Sequence, residues 1–381
     1  MKILHVISSV NPESGGPIEA VRQLSDAMVR QGHGVEIVSL DLPSASYLAD
    51  FPFTVYPLGP KLGIYGYCKN LKPWLKANVS DYDAVIIHGL WQYHSFAAHS
   101  VLNQLRKPYY LFSHGMLDPW FKRQYPLKHL KKYLYWLWGE YPVIRDAKKV
   151  LFTCEEEKVL ARQSFRPYKA NEQVVNFGTA GHTGDLAEQR ALFLNRFPRL
   201  ENKKFLLYLS RIHPKKGLDM LIESYASSHR ENPAFELVIA GPDQIGWQKS
   251  LEQQAVELGV ADNITWTGML SGDLKWGAYA AADAFILPSH QENFGIVVAE
   301  SLSCGLPVLI SNKVNIWYEI DQDGAGLVAD DTLSGCNQLL AGWSSMAESD
   351  KAALRANARR CFMERFEINK AANSLLDVLS G

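Results

Sequence analysis

Residues 288–311, PSHQENFGIVVAESLSCGLPVLIS, decide how this chain is read. They follow an apolar run, Ala284-Phe285-Ile286-Leu287, that predicts a buried strand. A polar loop comes next, Ser289-His290-Gln291-Glu292-Asn293. Phe294 and Gly295 open a helix that Gly305 closes, and 306–310 is the following buried strand. Strand, loop, helix and strand make one unit of a parallel sheet, in which ligands sit at the carboxyl ends of strands.

The predicted helix carries one charge, Glu300, among Val297, Val298, Ala299 and Leu302. A helix apolar nearly all round is buried, and a carboxylate buried with it needs partners. The loop brings a second carboxylate, Glu292, to the helix mouth, where unpaired N–H groups suit an anion. A sugar nucleotide matches all three features: sugar hydroxyls for Glu292, a diphosphate for the amides of Asn293, Phe294, Gly295 and Ile296, and ribose hydroxyls for Glu300. The plain alternative ties Glu300 to a neighbouring group and leaves Glu292 a solvated loop residue.

Composition sets the outer bounds. The 381 residues suit two domains, and 47% hydrophobic with 21% charged residues is ordinary for a globular chain. A net charge of -1 gives no case for nucleic acid. The charge is uneven, however: residues 1–180 carry 21 Lys+Arg against 15 Asp+Glu, and the remainder 18 against 25. Such asymmetry predicts a basic face on the first domain. The five cysteines are scattered without a Cys-x-x-Cys pair, which predicts a reducing cytoplasm and neither zinc nor disulfides. The opening run 1–10 reads as a first strand rather than a signal peptide, and no stretch reaches the roughly 18 apolar residues of a spanning helix.

Taken in order, strands are predicted at 3–7, 35–40, 53–57, 84–87, 109–112 and 150–152. The first is followed by a turn with Gly15, Gly16 and Pro17 and by a helix over 18–31, the geometry by which a backbone approaches phosphate. The Gly-x-Gly-x-x-Gly fingerprint is absent, which disfavours a nicotinamide dehydrogenase; a purely structural turn is the alternative. Two strands end in His-Gly, at His88-Gly89-Leu90-Trp91 and at Ser113-His114-Gly115-Met116-Leu117-Asp118. Loops at that edge of a sheet collect function, so His88, Trp91, His114 and Asp118 are site candidates, against simple structural histidines. Residues 122–138 interleave Lys122, Arg123, Lys128, Lys131 and Lys132 with aromatics and leucines. They predict a basic amphipathic helix, either lying on an anionic membrane or turning its aromatics inward and its lysines to water.

The second half repeats the pattern, with strands at 205–209, 235–240, 264–267, 284–288, 306–310 and 325–328. The first leads into Ser210-Arg211-Ile212-His213-Pro214-Lys215-Lys216-Gly217. Fixed cations after a strand lower the barrier to a departing diphosphate, and two surface cations in a turn are the alternative.

Glu292-x7-Glu300 within Ser-x-x-Glu-Asn-Phe-Gly, together with Arg211-x4-Lys216-Gly217, resembles the signature of the family 4 retaining glycosyltransferases, and the likeness runs along most of the chain. It implies an α/β GT-B fold, two Rossmann-like doubly wound domains facing across a cleft. The boundaries expected are 1–178 for an acceptor-binding domain, 179–202 for a linker, 203–360 for the nucleotide-sugar domain and 361–381 for a helix crossing back to the first. Asn176-Phe177-Gly178 resembles the Pro-Asn-Gly turn that ends the family's first domain, with Val175 in place of Pro.

The resemblance further implies donor contacts from Gly15 and Gly16, diphosphate binding by Arg211 and Lys216, and base reading by the backbone of Gly268, Met269 and Leu270. Glu292 would lie by the donor sugar, Glu300 on the ribose, and His114 against the sugar; Arg211 and Lys216 would act catalytically beside them. His88, Trp91 and Asp118 are the acceptor-side candidates. The implied reaction moves a sugar from a UDP- or GDP-sugar to a hydroxyl with retention, with no metal and no cofactor. Gly-Met-Leu-Asp-Pro-Trp over 115–120 resembles the branch that builds bacterial exopolysaccharides and other surface glycans, with a glycan or lipid-linked acceptor and a peripheral place on the inner face of the plasma membrane. A sugar-nucleotide epimerase, a phosphorylase or a non-enzymatic protein on the same fold are the alternatives. The last would be expected to lose Arg211, Lys216, Glu292 or Glu300, and all four are present.

Overall fold

The structure is a computed structural model that describes residues 1–12, 16–231, 233 and 235–381. The chain divides into two compact units, Met1–Gly178 with Ile368–Gly381, and Thr179–Glu367.

The first unit is built on a seven-stranded sheet: β1 Lys2–Val6, β2 Gly34–Ser39, β3 Thr54–Pro57, β4 Ala84–His88, β5 Tyr110–Phe112, β6 Lys149–Phe152 and β7 Glu172–Val174. Its order is β3-β2-β1-β4-β5-β6-β7, with every pairing parallel. The central strands β1 and β4 pair Ile3 with Ala84 and Val6 with Ile87 and are almost wholly buried. Near-continuous apolar runs are what a parallel sheet covered on both faces requires. The short β7 escaped the sequence reading because Glu172-Gln173-Val174 is only partly buried and has no apolar run.

The second unit repeats the plan with six parallel strands: β8 Phe205–Leu209, β9 Glu236–Ala240, β10 Ile264–Gly268, β11 Ala284–Leu287, β12 Val308–Ser311 and β13 Gly326–Ala329. The order β10-β9-β8-β11-β12-β13 reverses between β8 and β11, as the first sheet reverses between β1 and β4. Those two reversals are the switch points where doubly wound sheets open a crevice for ligands.

Two expectations are corrected. The polar segment 179–202 is no simple linker, because it carries a helix, Leu186–Arg196, that belongs to the second unit. Asp185 caps it, accepting from the amides of Ala187 (2.7 Å) and Glu188 (3.3 Å). It packs on the helix Gly272–Ala281 so closely that a Cβ on Gly277 would lie 2.1 Å from the Gln189 carbonyl oxygen. The stretch 122–138 is not one helix either. It breaks into Trp120–Gln124, Pro126–Tyr135 and a π-helical turn Trp136–Glu140. Pro126 lacks the N–H a continuous helix would need and takes the first position of a new one.

The last helix, Ile368–Ser380, belongs to the first unit although the chain reaches it from the second. It lies on the helix Gly16–Arg30, and Tyr110 Oη donates to the Val378 carbonyl (3.2 Å).

Candidate functional site

In the second unit the site residues gather at the carboxyl ends of β8 and β11. Gly217 makes this possible: its φ of +65° is left-handed, and a Cβ there would sit 2.3 Å from the carbonyl oxygen of Pro288. The loop after β8 can therefore close on the loop after β11, which brings Lys216 to Glu292. Lys216 is buried, and its ammonium donates to Glu292 Oε2. The two residues, assigned separate roles from the sequence, thus hold each other. The Glu292 backbone is tied on both sides, its N–H to Lys313 O (2.9 Å) and its carbonyl to Asn315 N (3.1 Å). Arg211 stands exposed after β8, with one long contact to Gln244 (3.5 Å).

The predicted helix is Ile296–Ser303. Gly295 caps it at φ +73° with no side-chain acceptor, so the first-turn amides of Ile296 and Val297 are left for an anion. Phe294 turns inward onto Phe366, ring centroids 5.7 Å apart, and leaves its backbone to the loop that also holds Asn293. Glu300 is buried and accepts from Lys275 Nζ (2.6 Å) and Tyr279 Oη (3.2 Å). Burial and the neighbouring carboxylate raise the Tyr279 phenol well above its ordinary range. Lys275 and Tyr279 were missed in the sequence, although their spacing of four on one helix face was the signal available. The loop after β10 presents Gly268 at φ +69°, an exposed Met269 and a buried Leu270.

Two Asp-x-Asp spacings occur in the chain, and neither belongs to this site. Asp83 precedes β4 and accepts from the Lys2 amide (2.7 Å), and Asp323 pairs with Arg365 (2.7 Å).

In the first unit the predicted histidines meet at the switch point. His5 Nδ1 lies 2.7 Å from His88 Nε2, and His88 Nδ1 lies 3.0 Å from His114 Nε2. The rings stack along the way, and burial pushes His5 down to about 3 and His114 to about 4, with His88 also well below the imidazole range. His114 itself sits at φ +50°, uncommon for a side-chain-bearing residue. Glu157 pins the residues on either side, accepting from Ser113 Oγ (2.6 Å) and the Gly115 amide (2.7 Å). The loop after β4 is held in the same way. Trp91, at φ +71°, donates its amide to the buried Glu140 (2.7 Å), whose carboxyl burial pushes up to about 8. Neither glutamate was singled out in the sequence, because each pairs with a loop between 42 and 49 residues away.

His88 is buried with both ring nitrogens engaged. Asp118 accepts from the Trp120 amide (2.8 Å) and lines a cavity of about 70 Å³ with Met116, Lys128, His129, Lys132 and Phe165. Gly16 begins the helix Gly16–Arg30, and Gly15 lies outside the described residues.

Comparison with known proteins agrees with this plan. One family model, the glycosyl transferase 4-like domain, matches residues 15–177, and another, glycosyl transferases group 1, matches 191–358. The D-inositol 3-phosphate glycosyltransferase of Saccharomonospora viridis is 30% identical over 63% of this chain and 57% of its own length. The chain spans about half the length of the curated relatives of that name that it matches. An uncharacterized glycosyltransferase of Methanocaldococcus jannaschii aligns over 99% of this chain and 97% of its own at 23% identity. Among solved structures, Anabaena HepE in complex with UDP and glucose superposes at a TM-score of 0.76 and 18% identity over 100% of both chains. Sucrose-phosphate synthase from Thermosynechococcus elongatus does so at 0.74 and 18%, over 99% and 98%. The fold is GT-B, and with one glycosyltransferase family model on each unit the chain belongs to the family 4 glycosyltransferases.

Proposed function

We propose that this protein is a retaining, metal-independent glycosyltransferase that moves a sugar from a UDP- or GDP-sugar to a hydroxyl of a glycan or lipid-linked acceptor during surface-glycan assembly. The observation that carries the reading is the convergence of Arg211, Lys216, Glu292 and the helix cap at Gly295 on the carboxyl ends of β8 and β11. Arg211, Lys216 and the amides of Ile296 and Val297 hold the diphosphate and stabilise the charge that builds as it leaves. Glu300, oriented by Lys275 and Tyr279, takes the ribose hydroxyls, and the backbone of 268–270 meets the base. Glu292 and His114 orient the donor sugar. The acceptor hydroxyl attacks from the face the phosphate leaves, and the departing phosphate oxygen takes its proton. The likeness to HepE, crystallised with UDP and glucose, supports a uridine donor.

Features of the first unit support a place of action at a membrane. No helix among the described residues is long and apolar enough to cross a membrane. The helix Pro126–Tyr135, however, turns leucines outward between exposed lysines, which favours a peripheral position on an anionic, cytoplasmic membrane face, near a lipid-linked acceptor.

Calorimetric titration of UDP, GDP and ADP, with and without EDTA, tests the donor site. One nucleotide should bind equally well with EDTA present, and Arg211→Ala should weaken it about tenfold or more, the loss of a charge-assisted contact. A folded protein that binds none of the three overturns the reading.

A further inference from the structure

We propose that His5, His88 and His114 work as one tautomeric unit that presents Nδ1–H of His114 as a fixed hydrogen-bond donor, with His88 and His5 as positioning residues. The argument starts from the two imidazole–imidazole bonds, 2.7 Å and 3.0 Å long. A neutral imidazole carries one N–H and one lone pair, so a chain of three can be ordered in only two ways. Either every Nδ1 carries the proton, with the bonds donated from His5 to His88 to His114, or every Nε2 does, with the bonds donated in reverse.

The inner end of the chain decides between them. His5 Nε2 is buried without a partner among the described residues. In the reverse order this atom would be an orphaned buried N–H, which proteins avoid more strictly than an unused lone pair. In the forward order it is a bare nitrogen. The neighbouring His94 has the same outcome: its Nε2 donates to the His88 carbonyl (2.7 Å), so its buried, unpartnered Nδ1 is the bare atom. A cationic chain is opposed by burial, in keeping with the depressed values of all three rings.

The forward order leaves Nδ1–H of His114 at the outer, partly exposed end, with no protein partner among the described residues. Glu157 fixes the loop beneath it through Ser113 and Gly115, so the donor has a set direction. Its ligand is therefore an oxygen that accepts, a hydroxyl, ether or phosphate oxygen, and His114 cannot take a proton at that atom as a base. That the oxygen belongs to the donor sugar rests on the glycosyltransferase reading; the tautomers do not.

The test is long-range 1H–15N NMR of the ¹⁵N-histidine-labelled full chain at pH 7, without ligand. His5, His88 and His114 should all show a protonated Nδ1 and a bare Nε2, the reverse of the form free imidazoles favour. Any of the three found as the Nε2–H tautomer or as a cation overturns the proposal. In His88→Phe the link is cut, and His114 should move toward the Nε2–H form; an unchanged His114 means His88 does not position it. Addition of a UDP- or GDP-sugar should shift the His114 Hδ1 resonance. Three Nδ1–H tautomers with no such shift, in a protein that calorimetry shows to bind the nucleotide, overturn the sugar contact alone. Absence of nucleotide binding would point instead to failure of the donor reading.

Discussion

Lys216 and Glu292 hold each other as an ion pair. Lys216 is buried and Glu292 half-buried, and the loss of one partner leaves the buried charge without compensation. In Glu292→Ala, Lys216 awaits a diphosphate to satisfy it. UDP or GDP should bind as tightly as in wild type or a few-fold tighter, and should raise the melting temperature more. On the role proposed for Glu292 beside the donor sugar, transfer should fall roughly a hundredfold. Glu300→Ala should do the opposite and weaken nucleotide binding about tenfold, since hydrogen bonds to a charged group are worth about 1.5–3 kcal/mol. Titration and initial-rate assays on the two variants read this directly, and equal loss of binding in both would overturn the division of roles. Arg211, Lys216, Glu292 and Glu300 were legible because the loops after two predicted strands and the helix that follows carry them in short, recognisable stretches of sequence. Their partners Lys275 and Tyr279 lie on another helix and carried no such mark.

At the scale of the element, the helix Pro126–Tyr135 combines features of both of its sequence readings. Tyr133 and Trp136 turn in on Phe165, at ring centroid distances of 5.8 and 4.7 Å, as a covered helix requires. The outer face is nevertheless not simply basic: Leu127, Leu130 and Leu134 are 78%, 63% and 69% exposed, beside Lys128 and Lys131. Exposed Leu137 and Trp138 continue the face, and the loop carrying exposed Ile64 joins it through the Tyr65–Tyr135 hydroxyl contact (2.6 Å). A patch of this kind marks an interaction surface. Wild type should co-sediment with vesicles containing anionic phosphatidylglycerol, more weakly at high salt because the lysine contribution is screened. The double variant Leu130→Glu/Leu134→Glu should lose about tenfold or more in affinity with nucleotide binding intact. Equal sedimentation of variant and wild type would rule out this face as the docking surface.

On the scale of the whole molecule, the chain returns to its beginning. The helix Ile368–Ser380 buries Ile368, Ala371, Ala372, Leu375, Leu376 and Leu379 within the first unit. A carboxylate in that buried apolar stripe loses its hydration, so Leu375→Asp should destabilise the first unit by roughly 3 kcal/mol. Thermal unfolding followed with limited proteolysis should show early cleavage within 1–178 while the 179–367 unit keeps the nucleotide binding proposed for it. Simultaneous loss of both would mean that the helix stabilises more than its own unit.

What the sequence determined by itself is local in origin. Short apolar runs such as 84–87 and 284–288, each followed by a turn, read as buried strands of parallel sheets. Arg211, Lys216 and Glu292 were placed in loops after predicted strands and Glu300 on the helix that follows, and the family resemblance supplied their expected roles. The tertiary structure alone decided which of these groups meet. Lys216 reaches Glu292 across 76 residues, and His5 reaches His88 across 83, because strand order brings β8 beside β11 and β1 beside β4. Periodicity tells which side chains share a face of one element; it carries no record of the element opposite. For the same reason the outward leucines of Pro126–Tyr135 emerged only once the packing of their neighbours was known, whereas the return of the last helix to the first unit was expected from the family resemblance.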